Sequence, residues 1–219
     1  MQTSFFHCVQ LMSFITAVFC YKGLRFFKIT AFIPLLFMVC LTESAALNVK
    51  ILGWTQNYPI YNYFLLISTA LNLYLIDKML DLNGFSKIIY CIITGLSMLF
   101  LMLNFVYLQG SDIFNTYSFI LSMFVVSVLS VLVLLKLFND EQSCIILHFH
   151  PYFWISASTL FFSAAALIVL GLQQFILAEK LLIGKVTIYR AIMPILNVVM
   201  YLSYTYAFIL CRRLANKSL

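Results

Sequence analysis

Glu43 stands inside "FMVCLTESAALNV" (37–49), a stretch otherwise apolar enough to lie in lipid. A carboxyl group in such a place can hold a proton, pair with a cation, or take a hydrogen bond from a ligand. Charged side chains at the centre of a membrane helix cost about 2.5–3.5 kcal/mol on insertion scales, and ionisable groups at such depth are functional candidates by default. Lys28 and Lys50 bracket the run, so its centre falls near residue 39. Glu43 is then about 6 Å beyond the centre on the Lys50 side, too deep for a short side chain to reach water easily. It is expected to face other helices and to be protonated or partnered.

Other polar residues share that depth. Asn62 and Asn104 lie on the same side of the centres of their own apolar runs. Asn115 and Ser118 open a further run there, Gln173 and Gln174 close another, and Arg190 and Asn197 stand in the matching half of the last. Asn72 is the main exception. The expected partners of Glu43 are Asn62, Asn104 or Asn197, with Arg190 approaching from above. Arg190 has an equal alternative, which is to reach along its own stem to the membrane interface.

Two stripes follow from helical periodicity. Arg190, Pro194, Asn197, Tyr201 and Tyr204 fall on one face at 100° per residue, as do Ser156, Thr159, Ser163 and Gln174. Asn62, Thr69 and Asn72 form a third aligned set. Such faces turn inward, because lipid offers no hydrogen-bond partner. Polar stripes also join helices where small residues permit close approach, so they serve packing and ligand binding equally well.

Several chemistries are set aside. Retinal needs a lysine within a helix for its Schiff base, and the last run has none between Lys185 and Lys217. Haem would need suitably placed axial ligands, and the histidines are His7, His148 and His150. "HFHPYFW" (148–154) offers two histidines where a metal site needs three or four ligands, and Pro151 more simply starts a helix. G-x-S-x-G, H-E-x-x-H, the Walker loop and the dinucleotide fingerprint are all missing. Asp77 and Asp81 share a helix face, but nearby Lys78 and Lys87 suit a solvated loop better than a magnesium site. No cofactor and no catalytic residue is expected.

The elements that must hold these residues are membrane helices. Residues are 64% hydrophobic and 9% charged, with mean hydropathy +1.04, far from the roughly 25% charged residues of soluble domains. The net charge of +6 therefore belongs to loops rather than to nucleic-acid binding. Seven apolar runs are read at 4–21, 29–48, 59–76, 87–108, 114–137, 152–176 and 188–210. About 20 helical residues cross a hydrocarbon core of about 30 Å. "VVSVLSVLVLL" (125–135) and "AAALIVLGL" (164–172) are continuous rather than alternating, which excludes barrel strands. The expected fold is an all-α, polytopic bundle of seven helices forming a single transmembrane domain over 1–219. Cys8, Cys20, Cys40, Cys91, Cys144 and Cys211 include no C-x-x-C pair and read as small apolar side chains. No cleavable signal is expected, since basic residues follow the first run rather than precede it.

Orientation follows from Lys and Arg. With the amino terminus outside, nine basic residues are internal: Lys22, Arg25, Lys28, Lys78, Lys87, Lys136, Arg212, Arg213 and Lys217. Four are external: Lys50, Lys180, Lys185 and Arg190. The asymmetry predicts N-outside and C-cytoplasmic, and Trp54, Tyr58, Tyr152 and Trp154 suit interfacial belts.

"LTESAALN", "HPYFWISASTLFFSAAA" and "ILNVVMYLSYTYAFILCRR" together resemble a group of small, uncharacterised seven-helix bacterial inner-membrane proteins. Glu43, Phe153-Trp154, and Asn197 with Tyr201 match the group's pattern. The resemblance implies a fold and a bacterial inner-membrane location, and no activity.

The functional expectation is a receptor or sensor-like module. It would bind a small ligand or lipid headgroup in a polar pocket of the outer half, with Glu43, Asn62, Asn104, Arg190, Asn197 and Tyr201 as candidates. Its partners would be the lipid bilayer and a separate signalling protein, with no nucleic acid and no retinal. The alternatives are a small proton-coupled transporter using Glu43, with Pro34 and Pro194 as helix-break points, and a structural subunit of a membrane complex. A lipid-modifying enzyme ranks last.

Overall fold

The computed structural model describes residues 2–51, 53, 56–139, 147–172, 182–183 and 186–217, without the side chains of 2–5, 182–183 and 186–190. Among the described residues there are eight α-helices. They are α1 (Gln2–Phe19), α2 (Tyr21–Phe26), α3 (Phe32–Leu47), α4 (Tyr58–Leu80), α5 (Gly84–Leu103), α6 (Thr116–Asn139), α7 (Pro151–Gly171) and α8 (Ile188–Lys217). A π-helical turn, Asn104–Leu108, extends α5, and a 3₁₀ turn, Leu147–Phe149, precedes α7. The one sheet among the described residues is the two-residue pairing of Leu182–Ile183 with Val186–Thr187, antiparallel.

Among the described residues five helices are long and apolar enough to cross a membrane: Tyr58–Leu80, Gly84–Leu108, Thr116–Asn139, Pro151–Gly171 and Ala191–Lys217 within α8. Two shorter apolar helices, Phe6–Phe19 and Phe32–Leu47, accompany them. Every expected apolar run thus carries a helix. The run expected to continue to 176 is helical to Gly171, and residues 173–176 lie outside the described set. The main departure is at the start. The run expected over 29–48 is helical for 16 residues, about 24 Å, because Lys28 in the left-handed region (φ 58°) and the turns beyond it delay the helix to Phe32. The chain before Lys28 forms the unforeseen α2, which packs along α8.

The helix ends follow local chemistry. Pro151 sits in the first turn of α7, where a missing N–H costs nothing, and the His150 ring nitrogen Nδ1 accepts from the Tyr152 N–H at 3.3 Å. His150 therefore serves as a cap. α4 closes on Asp81 in the left-handed region (φ 45°), and the Asp81 N–H donates to the Asp77 carbonyl.

The core is centred on Phe32, Leu36, Leu75, Ile155 and Phe208, all nearly fully buried. Phe32 meets Tyr204 and Phe208 at ring-centroid distances of 5.1 and 5.3 Å. α6 and α7 share the most extensive interface. Small residues permit it: Ser122 and Ser130 on α6 and Ser156 and Ser163 on α7 are buried, and the Ser127 and Ser163 hydroxyls share a 2.7 Å bond across it. Thr69 and Ser122 join α4 to α6 in the same way, and Thr159 and Tyr204 join α7 to α8, each at 2.7 Å. By contrast, α5 turns Ile88, Ile92, Leu96, Leu99 and Leu103 outward as one exposed apolar stripe.

One end of the bundle gathers the basic residues. Lys136 Nζ donates to the Leu80 carbonyl at 2.5 Å, the Tyr152 hydroxyl to the Phe27 carbonyl at 2.6 Å, and Lys87 pairs with Asp77. These bonds join the end of α4 to the end of α6 and the start of α5, and the start of α7 to the residue that closes α2.

Candidate functional site

Glu43 lies one turn from the end of α3, because the helix stops at Leu47. That places its carboxyl group nearer the helix end than a full-length span would. It is half-buried, and the Tyr61 hydroxyl of α4 donates to Oε2 at 3.1 Å. α3 packs between α1 and α4, so the other neighbours of Glu43 come from the amino-terminal helix. α1 packs against α3 and brings His7 to the side of the helix that bears Glu43. Both ring nitrogens of His7 are buried, and neither has a hydrogen-bond partner among the described residues.

Gln10 follows one turn after His7 on the same face and is almost fully buried. α1 packs along α8, and Gln10 approaches the Tyr201 side chain there. Tyr201 is buried between Phe6 and Tyr204, with centroids 6.4 and 6.1 Å away. The site is therefore a polar cluster made by four helices: His7 and Gln10 from α1, Glu43 from α3, Tyr61 from α4 and Tyr201 from α8. A carboxyl group with one protein donor among the described residues, and an imidazole on the neighbouring helix whose nitrogens have none there, can take a ligand donor, a ligand acceptor or a proton.

The expected asparagine partners of Glu43 are engaged elsewhere. Asn62 lies beside Tyr61 in sequence, but one helical step turns it by 100° toward the 109–115 loop. Its Nδ2 donates to the carbonyls of Ser111 (3.1 Å) and Ile113 (2.7 Å), and its Oδ1 accepts from the Asn115 N–H at 3.0 Å. Asn104 begins the π-helical turn, and its Nδ2 donates to Gln109 Oε1 (2.9 Å) and Ser118 Oγ (2.7 Å). Its own carbonyl accepts from the Gln109 and Gly110 N–H groups. Both asparagines are buried and hold the connection from α5 to α6 in place.

Asn197 Nδ2 donates to the Met193 carbonyl of its own helix at 3.0 Å, one residue before Pro194. Pro194 has no N–H to give the turn before it, so this bond reinforces α8 near that interruption. Tyr201 and Tyr204 face the interior as the stripe requires. The Arg190 side chain lies outside the described residues, as do Gln173 and Gln174. Of the six candidates, the structure places Glu43 and Tyr201 in one cluster, while Asn62, Asn104 and Asn197 have partners of their own.

His7, Gln10 and Tyr61 are the members that sequence reasoning passed over. A signal existed for the first two: His7, Gln10 and Ser13 recur at three-residue spacing in a largely apolar helix, and all three turn inward. Tyr61 carried no such signal beyond its adjacency to Asn62. Compared with protein-family models, curated proteins and solved structures, the chain matches none of them.

Proposed function

We propose that this chain is a multi-pass membrane receptor or sensor-like module that binds a small ligand or a lipid headgroup at the Glu43–His7 cluster. In this reading the seven apolar helices are seven crossings of a bacterial inner membrane, with the amino terminus outside and the carboxy terminus cytoplasmic. The observation that carries it is the buried His7 imidazole, whose ring nitrogens have no hydrogen-bond partner among the described residues, on the helix packed against the one that bears the Glu43 carboxyl group. Buried polar groups are normally satisfied, so one left open calls for an explanation, and a ligand or an exchanged proton is one such explanation. The ligand class is one that offers Glu43 an amine or hydroxyl donor and His7 a second polar group. Tyr201, packed in the core against Tyr204, would couple occupancy to α8 and thence to a separate signalling protein.

Thermal-shift screening of the purified protein against small amines and polyols, at two pH values, tests the reading. Compounds that stabilise the wild type should lose their effect in Glu43→Gln and His7→Gln. Equal shifts in all three proteins would place binding elsewhere.

Proton-coupled transport through Glu43 is the second reading. It is favoured by two titratable groups on adjacent helices and by Pro194 interrupting α8 beside Asn197. Proteoliposomes containing a pH-sensitive dye separate the two: substrate-driven proton entry that Glu43→Gln abolishes would favour the transporter.

A further inference from the structure

At the opposite end of α1 from His7, a crevice of about 440 Å³ opens between α1 and α8. Thr16, Phe19 and Cys20 form one wall, and Ile209, Arg212, Arg213 and Asn216 form the other. Its two arginines are exposed, and no carboxylate among the described residues pairs with either. Cys20, the other titratable group in the lining, is buried. The crevice is a built feature. α2 is pressed so closely against α8 that a Cβ on Gly23 would come within 2.6 Å of the Arg212 backbone, which fixes the strand of helix bearing both guanidiniums.

The chemistry of the lining changes along its length. Arg212, Arg213 and Asn216 supply donors at the helix end. Arg212 and Arg213 follow Ile209 by three and four residues, so Ile209 lies one turn deeper on the same side. Phe19 on the facing helix is 74% exposed, and Ile15, Met12 and Leu202 continue the exposed apolar surface beyond it. Two guanidiniums above an apolar wall match a phosphodiester carried on acyl chains, since the planar guanidinium binds phosphate oxygens in pairs. Lys22 and Arg25 on α2 are exposed nearby and add positive potential without lining the crevice. Basic pockets between membrane helices have this character where they hold anionic headgroups.

We propose that the crevice between the ends of α1 and α8 binds an anionic phospholipid, its phosphate held by Arg212 and Arg213 and an acyl chain lying along Phe19 and Ile209. This site is separate from the Glu43 cluster and stands whether or not that cluster binds a ligand.

Native mass spectrometry of the full-length protein in detergent provides the test, with phosphatidylglycerol and phosphatidylcholine of identical chains as probes. Phosphatidylglycerol should be retained preferentially, and Arg212→Gln with Arg213→Gln should lower its retention by about tenfold, as expected for losing charge-assisted bonds. Lys22→Gln with Arg25→Gln removes the same charge outside the crevice and should lower retention far less. Inorganic phosphate at millimolar concentration should not displace the lipid. Equal retention of the two lipids, equal losses in the two double variants, or full displacement by inorganic phosphate would each overturn the proposal. A second readout does not depend on the arginine variants. Phe19→Trp places a fluorophore in the crevice wall, and brominated phosphatidylglycerol should quench it more than brominated phosphatidylcholine. Equal quenching would contradict the site.

Discussion

The Tyr61 hydroxyl donates to the Glu43 carboxyl group at 3.1 Å, tying α4 to α3 one turn from the end of the shorter helix. Interhelical side-chain bonds in membranes average about 0.6 kcal/mol, so Tyr61→Phe should lower stability by about 0.5–1 kcal/mol. Glu43→Gln keeps an acceptor for Tyr61 and should cost less than Glu43→Leu. The losses in Tyr61→Phe and Glu43→Leu should not add in the double variant, because both remove the same bond. Denaturation in mixed micelles measures all four proteins. Additive losses would mean that the bond contributes nothing.

Glu43→Gln also separates packing from function. It preserves shape and most hydrogen bonding but abolishes titration. If the cluster binds a ligand or couples protons, pH-dependent binding or transport should disappear in this variant while the protein folds normally. A Glu43→Gln protein that retains full pH-dependent function, together with a Glu43→Leu protein that is merely less stable, would reduce the residue to a helix contact.

Asn62 makes a prediction of the opposite kind. Its amide satisfies two carbonyls and one N–H of the 109–115 loop, so its removal should loosen that loop rather than change the Glu43 cluster. Asn62→Ala leaves buried backbone groups unpaired, at about 1–3 kcal/mol. Asn62→Asp should cost at least as much, because it turns an oxygen toward the Ser111 and Ile113 carbonyls. Hydrogen exchange should rise across residues 109–115 in both variants. Unchanged exchange there, with altered ligand binding, would move Asn62 back into the site.

These residues show what could be read in advance. The helices were legible because lipid demands long uninterrupted apolar runs, and α4 to α8 supply them. The inward faces of Tyr201, Tyr204, Ser156 and Ser163 were legible from periodicity. Partner choice was not. Depth placed Asn62 and Asn104 level with Glu43, but azimuth decides who meets whom, and azimuth depends on packing between helices. Asn62 and Tyr61 differ by one residue and face different neighbours. α2 was illegible for another reason. "YKGLRF" is too short for a periodic signal, and what recruits it is Gly23, whose missing side chain lets it touch the backbone of a helix nearly 190 residues away.

That contact yields its own test. A Cβ at Gly23 would approach Arg212 N and the Cys211 carbonyl carbon at 2.6 Å each, both backbone atoms that cannot swing aside. Gly23→Ala should therefore push α2 away from α8 and destabilise the protein by about 1–3 kcal/mol, the usual cost of overpacking. The helix propensity of alanine would act in the other direction by about 1 kcal/mol at most. A thermal-unfolding midpoint in detergent at or above wild type would show that α2 does not dock this closely.

The last prediction concerns the direction of the chain across the membrane. Lys22, Arg25 and Lys28 follow α1, Lys78 ends α4, Lys87 begins α5, Lys136 ends α6, and Arg212, Arg213 and Lys217 end α8. The bonds from Lys136 to Leu80 and from Tyr152 to Phe27 put these segments at one end of the bundle. Translocation disfavours short basic loops, so this end should be cytoplasmic. From the sequence, Lys50, Lys180, Lys185 and Arg190 are expected on the other side, where the last three run against the rule. The nine-to-four asymmetry should nonetheless prevail, because it is spread over every short connection at the basic end. A reporter fused after Leu219 should be active in the cytoplasm, and one inserted after Lys50 should be active outside. Replacing Lys180 and Lys185 by Gln should strengthen that pattern, since it removes the opposing charge. A carboxy-terminal reporter active outside would mean that the number of crossings or their direction is wrong.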